Sequence, residues 1–156
     1  MSVFAQKEVK VADPDIDFSY VLPKKWSVVD DGYTYYIVRP SNALECFMSF
    51  TYTGEKKEKE DDSLEEAVKF KIELFYPLNV PGFKLIDTGD EILDGKEAKW
   101  LKYHYTLEKM DYTTIEFLYY KYGMLFSVAG SSTPGIFEES LPTFFEVAKS
   151  FMTLEK

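Results

Sequence analysis

The sequence predicts an α+β fold in which an antiparallel sheet of about six strands carries helices on both faces. Three observations lead there. From Ile16 onward most segments alternate with the two-residue period of strands, and short turn signals rather than helical crossovers separate them. Two other segments carry apolar residues at helical spacing. The long strands also place aromatic residues on both of their faces, whereas a sheet with one face in water alternates apolar with polar.

Residues 1–14 read as an N-terminal extension or edge strand, and 15–156 as one domain. Ile16, Phe18 and Tyr20 alternate with Asp17 and Ser19, and Pro23 breaks the run before a strand at 26–29. Asp30-Asp31-Gly32 is a turn signal that pairs this strand with 33–38 as a hairpin. Pro40-Ser41-Asn42 closes the second strand, and 46–53 makes the next. Ser63-Leu64-Glu65-Glu66 has capping-box spacing, and Leu64, Ala67, Val68, Ile72 and Phe75 continue as an amphipathic helix that ends before Pro77. Asp94-Gly95 ties a short strand, near Leu85-Ile86 or at 91–93, to a long one at 98–109. Asp111 lies in the turn to a strand at 112–122, and Gly123 bends the chain into 124–129. The last helix starts at Thr143, with Glu146 completing a capping box, or earlier at Ser140 with Pro142 in the first turn. Its stripe of Leu141, Phe144, Phe145, Ala148, Phe151 and Met152 is too apolar to stay in water, so the helix docks on the sheet.

Composition narrows the function by exclusion. Eighteen basic residues against 27 acidic ones leave 18 − 27 = −9, a field that repels nucleic-acid backbones. Cys46 is the only cysteine, so no intramolecular disulfide and no Cys-rich zinc site can form. Every stretch of twenty residues contains charges, which argues against a membrane-spanning helix. The N-terminus lacks the apolar core of a signal peptide, yet Phe4-Ala5-Gln6 resembles the end of a cleaved one, so a secreted or envelope location and a cytoplasmic one stand level. The biased segment 54–66 holds seven acids and three lysines, a net −4, and reads as a solvated loop leading into a helix, with an acidic docking loop as the alternative.

No catalytic, metal or cofactor signature is present. Phosphate-cradling glycine motifs and G-x-S-x-G are absent, and Gly130-Ser-Ser-Thr-Pro-Gly135 reads as a strand-to-helix connection. The acids between Asp87 and Asp94 do not match a calcium loop. Cys46 opens an apolar strand and reads as a buried, inert thiol. His104, the one histidine, could anchor a hydrolase only with Ser127, Ser131 or Ser132 in hydrogen-bond reach. The aromatic content favours binding instead: 12 tyrosines are more than a small interior holds, and tyrosine and tryptophan suit half-wet contact sites. Tyr36, Trp100, His104 and Tyr120 are the candidate contacts with another protein. The alternative is a small ligand in an aromatic-lined pocket between sheet and helix, anchored by His104, Tyr103 or Trp100.

The segment Asp17-Phe-Ser-Tyr-Val-Leu-Pro-Lys-Lys-Trp26 resembles the opening of PsbP-like, Mog-like and DcrB-like proteins. The later segments come in a similar order over roughly residues 15 to 153: charged loop, capped helix, Asp94-Gly95-Lys-Glu-Ala98, Gly123-Met-Leu-Phe-Ser127 and Phe145-Glu-Val-Ala-Lys-Ser-Phe151. The resemblance implies an antiparallel sheet with helices on both sides and a non-enzymatic role. Members serve as extrinsic photosystem subunits, Ran-binding transport factors, secretion chaperones or envelope lipoproteins. This chain lacks the basic patch expected of the photosystem subunit and a lipidation cysteine near its start, which leaves a bacterial envelope or cytoplasmic adaptor.

Overall fold

Three consecutive two-residue turns organise the second half of the chain, which a computed structural model describes over residues 7–30, 35–39, 45–53 and 63–156. Asp94-Gly95, Glu108-Lys109 and Tyr122-Gly123 all have positive φ at both positions, from 50° to 72°. Such turns twist in the same sense as the strands they join. They link β6 (Lys84–Leu93), β7 (Lys96–Leu107), β8 (Met110–Lys121) and β9 (Met124–Ser132) into a meander. The middle turn corrects the expected one at Asp111. With no glycine or asparagine in Glu108-Lys109 the local signal is silent, and the long ladder on either side imposes the left-handed backbone. Asp111 instead pairs with Thr106 inside the ladder and accepts its hydroxyl at 3.0 Å.

Earlier strands extend this meander. β3 (Ser27–Asp30) pairs with β4 (Tyr35–Val38), and β4 with β5 (Cys46–Tyr52), which joins β9. The resulting antiparallel sheet has seven strands in the order β3-β4-β5-β9-β8-β7-β6. Most of the Asp30-Asp31-Gly32 turn lies outside the described residues.

The expectation of one sheet of about six strands therefore needs correction. A second, three-stranded sheet has β2 (Ile16–Leu22) at its centre, with β1 (Lys7–Ala12) and β10 (Met152–Glu155) on either side. Four residues of β10 were too few to show a period of their own. Ile16, Phe18 and Tyr20 on β2 are buried against Phe50 and Phe151, so the alternation was right although the sheet was not. The turn after β2 closes with the Trp26 N–H donating to the Pro23 carbonyl at 3.1 Å, and Trp26 packs on this core.

Each face of β8 belongs to a different core. Ile115, Phe117 and Tyr119 pack with α3 (Phe137–Ser150), while Leu118 packs with Val68 and Tyr76 from a second helical segment. That segment begins at α1 (Leu64–Phe70), where the Ser63 hydroxyl accepts the Glu66 N–H at 3.1 Å as its spacing predicts. It does not end before Pro77. A π-helical turn (Lys71–Phe75) leads into α2 (Tyr76–Asn79), and Pro77 stands in the first turn of α2, where a missing N–H is tolerated.

Helix α3 also begins earlier than either expected start. The single 3₁₀ turn at Pro134–Ile136 leads straight into Phe137, so Ser140, Pro142 and Thr143 all lie inside the helix. Ser140 donates its hydroxyl to the Ile136 carbonyl at 2.7 Å. The stripe docks as far as Phe151 but not Met152, which lies past the helix end at the start of β10 and is exposed: Phe144, Val147 and Ala148 are fully buried, and the Phe144 ring lies over Gly130, where any Cβ would stand 2.3 Å from it. Only glycine lets helix and strand approach so closely.

Candidate functional site

The helical segment at 64–79 has two apolar sides, and one of them is left in water. Leu64, Val68, Ile72 and Tyr76 follow a strict four-residue spacing and pack on Leu101, Tyr103, Leu118 and Leu125. In a regular α-helix that spacing overshoots by about 40° per step, so the stripe would drift off the sheet. The slower winding of the π turn brings it back. Its other consequence is that Phe70, Leu74, Phe75 and Leu78 point outward, at 53, 50, 43 and 75 % exposure.

Beneath this segment lies a buried carboxylate. Glu116 in β8 accepts hydrogen bonds from the Tyr76 hydroxyl, from Tyr103 at 3.3 Å and from Ser127 at 2.5 Å. Three hydroxyl donors take the place of water around a charge that burial would otherwise penalise. Burial, reinforced by that charge, pushes the Tyr76 and Tyr103 hydroxyls far above the ordinary phenol range, so both remain donors at any physiological pH. The Lys71 ammonium stands 3.5 Å from the Tyr76 oxygen and lies over the Phe75 and Tyr76 rings. The network therefore fastens the helix to the sheet from below. Beside it a cleft of about 470 Å³ opens between Ala67, Phe70 and Phe75 of the helical segment and Tyr120 and Leu125 of the sheet, with Glu66 and Lys71 at its rim.

Two further buried carboxylates have partners that account for them. Asp94 accepts from Tyr119 at 3.1 Å, from Lys121 at 2.8 Å and from the N–H and hydroxyl of Thr153, which ties the β6–β7 turn to β10. Asp13 accepts from the Tyr35 and Tyr52 hydroxyls, each at 2.5 Å. Burial raises the Asp13 pKa, but these two hydroxyls and the N–H groups of Asp15 and Ile16 outweigh it and hold the carboxyl below its ordinary value. Among the described residues no three His, Cys, Asp or Glu side chains form a metal-binding group, and no helix is long and apolar enough to cross a membrane.

No family model and no curated protein matches the sequence. Solved structures do match. The cyanobacterial PsbP, CyanoP, of Synechocystis sp. PCC 6803 superposes with a TM-score of 0.68 at 13% identity, covering 99% of this chain and 95% of that one. The chain has a PsbP-like fold. LpqN, described as involved in cell envelope biogenesis of Mycobacterium tuberculosis, is similar at a TM-score of 0.63 and 15% identity over 95% of this chain and 91% of its own. PA94 from Pseudomonas aeruginosa, a protein of unknown function, follows at 0.52 and 16% over 93% and 80%. The resemblance first seen around Pro23 and Trp26 is thus a likeness of fold.

Within this PsbP-like fold the four candidate contacts do not share one surface. Tyr120 lines the cleft beside the exposed helix. Tyr36 points to the same side of the sheet but stands on β4, three strands away and level with Glu116 rather than Tyr120, so that about 14 Å across the strands adds to about 13 Å along them. Trp100 and His104 point to the opposite side. Trp100 packs on the core and covers Gly89, where a Cβ would meet its ring at 2.2 Å. His104 meets the Thr113 hydroxyl at 2.8 Å through Nδ1. Ser127 and Ser131 lie across the sheet from it, bonded to Glu116 and to Thr114, while Ser132 donates to the Thr133 carbonyl. Cys46 is buried, and burial pushes its thiol pKa up. The reading of the sequence missed Glu116. Its signal was a lone carboxylate in a strand run, Tyr112 to Tyr120, with apolar residues on both faces.

Proposed function

We propose that this chain is a non-enzymatic accessory protein that binds another protein through the outward side of its 64–79 helical segment. The observation that carries this is the exposure of Phe70, Leu74, Phe75 and Leu78 within nine residues, on a segment whose inner side is already satisfied by the sheet. Exposed apolar side chains gathered this closely, with the Phe70 and Phe75 rings against each other, mark a contact site. Tyr120 borders the patch, and Tyr36 extends the same side of the sheet. Trp100 and His104 face away, so they are not part of the proposed surface. The layering supports the reading: α3 and the three-stranded sheet take one side of the large sheet and the helical segment the other, which leaves a rigid platform under the patch. LpqN, a fold neighbour, is described as involved in cell envelope biogenesis, and a place in the cell envelope or the cytoplasm suits the reading equally.

The test is affinity capture from cells that make the protein, comparing the native chain with a Leu74→Ser plus Leu78→Ser variant. Loss of a specific co-purifying protein supports the reading, and equal recovery overturns it. A second reading rests on the 470 Å³ cleft, a size that suits a small apolar ligand. It predicts that a Tyr120→Trp variant, which narrows the cleft, loses binding of an apolar fluorescent dye.

A further inference from the structure

The exposed apolar patch does not stand alone, because its neighbour at the other end of the same helix is acidic. A depression of about 660 Å³ is lined by Ser63, Leu64 and Glu65 from the helix start and by Asp90, Glu91, Ile92, Glu97 and Lys99 from β6 and β7. Lys99 pairs with Asp90 and its charge also acts on Glu65 and Glu97, while Lys149 reaches Glu91 at 3.5 Å, so the acids of this zone outnumber the lysines described beside them. Glu65, Glu66 and Glu97 form no ion pair among the described residues. Glu66, on the next helical position, belongs to the cleft with Phe70 and Phe75, so acid and apolar zones meet at residues 65 and 66. Ile92, also 68 % exposed, lies inside the acidic zone and gives it an apolar foothold. The sixteen residues of 64–79 span roughly 24 Å. A protein surface that is apolar at one end and acidic at the other selects a partner with the complementary arrangement.

On the reading that this side binds a protein, we infer that the partner contributes a basic amphipathic segment: its apolar side lies on Phe70, Leu74, Phe75 and Leu78, and its lysines or arginines lie over Glu65, Glu66 and Glu97. A chain of net charge −9 adds to the pull on such a segment at long range. The same acids repel an anionic lipid surface, which sets a protein partner above a membrane.

The experiment uses the full chain and a labelled peptide of about 18 residues with leucine on one helical side and lysine on the other, read by fluorescence anisotropy. Binding is expected to weaken about tenfold in Leu74→Ser plus Leu78→Ser, and by a similar factor in Glu65→Lys plus Glu97→Lys. It is also expected to weaken between 0.05 and roughly 0.5 M salt as the Debye length shrinks. An unchanged thermal midpoint for each variant confirms that the fold is intact. A control peptide with glutamate in place of lysine is expected not to bind. Equal binding of both peptides overturns the inference, and so does failure of the basic peptide to bind. Uptake of the protein by phosphatidylcholine–phosphatidylglycerol vesicles without peptide binding overturns it in favour of lipid. If affinity capture of the native partner is lost in the leucine variant but kept in the charge-reversed one, the binding reading stands and the basic partner falls.

Discussion

Helix α3 and the 64–79 segment cover opposite sides of one sheet, yet they treat their apolar residues differently. α3 buries its stripe down to the backbone of Gly130, and its outward residues are Glu138, Glu139, Pro142, Glu146 and Lys149, charged but for the one proline. The 64–79 segment buries one stripe and presents another, and it is fastened by hydroxyls on a buried carboxylate as well as by packing. An amphipathic helix with one apolar side is explained by the core it covers. A helix with two apolar sides has a second requirement that the core does not account for, and that surplus is what points to function.

The largest expected effect tests the α3 side. Phe144→Ala removes a ring with no exposed surface and leaves a cavity over Gly130, which should cost about 3–5 kcal/mol out of the roughly 5–15 available to a domain. Chemical denaturation measures it. Phe145→Ala should cost less, because that ring is only partly buried and makes an edge contact with Phe117 at 5.1 Å. Equal costs would mean that the stripe is not seated as described.

Next in size is the network under the other helix. Tyr76→Phe withdraws a hydroxyl donor from a buried carboxylate, and Glu116→Gln turns an acceptor into a group that competes with its own donors. Each should cost about 1–3 kcal/mol. The double variant should cost less than the sum, since both changes break one interaction. Additive costs would show that the network does not hold the helix.

These two sides were not equally legible in the sequence. The α3 stripe could be read because one apolar side at helical spacing has one interpretation. The start of α3 was misread because Ser140 and Thr143 are good capping residues that tertiary packing places inside the helix, with Ser140 bonded back to Ile136. Asp94-Gly95 announced its turn, whereas Glu108-Lys109 carried no local signal and only the pairing of β7 with β8 fixes it. The π turn was invisible for a similar reason: Phe75 reads as an inward position until the extra residue in the turn moves it outward and lets Tyr76 take its place. Tyr36, Trp100, His104 and Tyr120 were chosen by residue type. Their separation onto two sides depends on register, and strand parity without turn positions does not set it.

A smaller effect concerns acid stability on the α3 side, where Asp13 links the three-stranded sheet to β4 and β5 through Tyr35 and Tyr52. Its pKa is lower in the folded chain than the ordinary 3.8 of the unfolded one. A depressed carboxyl contributes stability that is fully present above the unfolded value and disappears as pH falls through the folded value. Asp13→Asn should therefore reduce stability at neutral pH and flatten the loss of stability on acidification below about pH 4. An unchanged acid limb in the variant would mean that the carboxylate does not carry this link.

The smallest expected effect is on the outward side of the 64–79 segment, and it separates the two helices most sharply. Leu78 is 75 % exposed, so its side chain already sits largely in water in the folded state. Truncating it removes little buried area, and a surface change of this kind stays within about 0.5 kcal/mol. Leu78 stands at the third position of α2, where alanine is the better helix former, so Leu78→Ala should leave the denaturation midpoint in place or raise it slightly. The same substitution should weaken partner capture, because at a contact surface that leucine would be buried by the partner rather than by the fold. A stability loss comparable to that of Phe144→Ala would show that Leu78 packs within the chain, and the surplus apolar side, with the binding surface built on it, would then not exist.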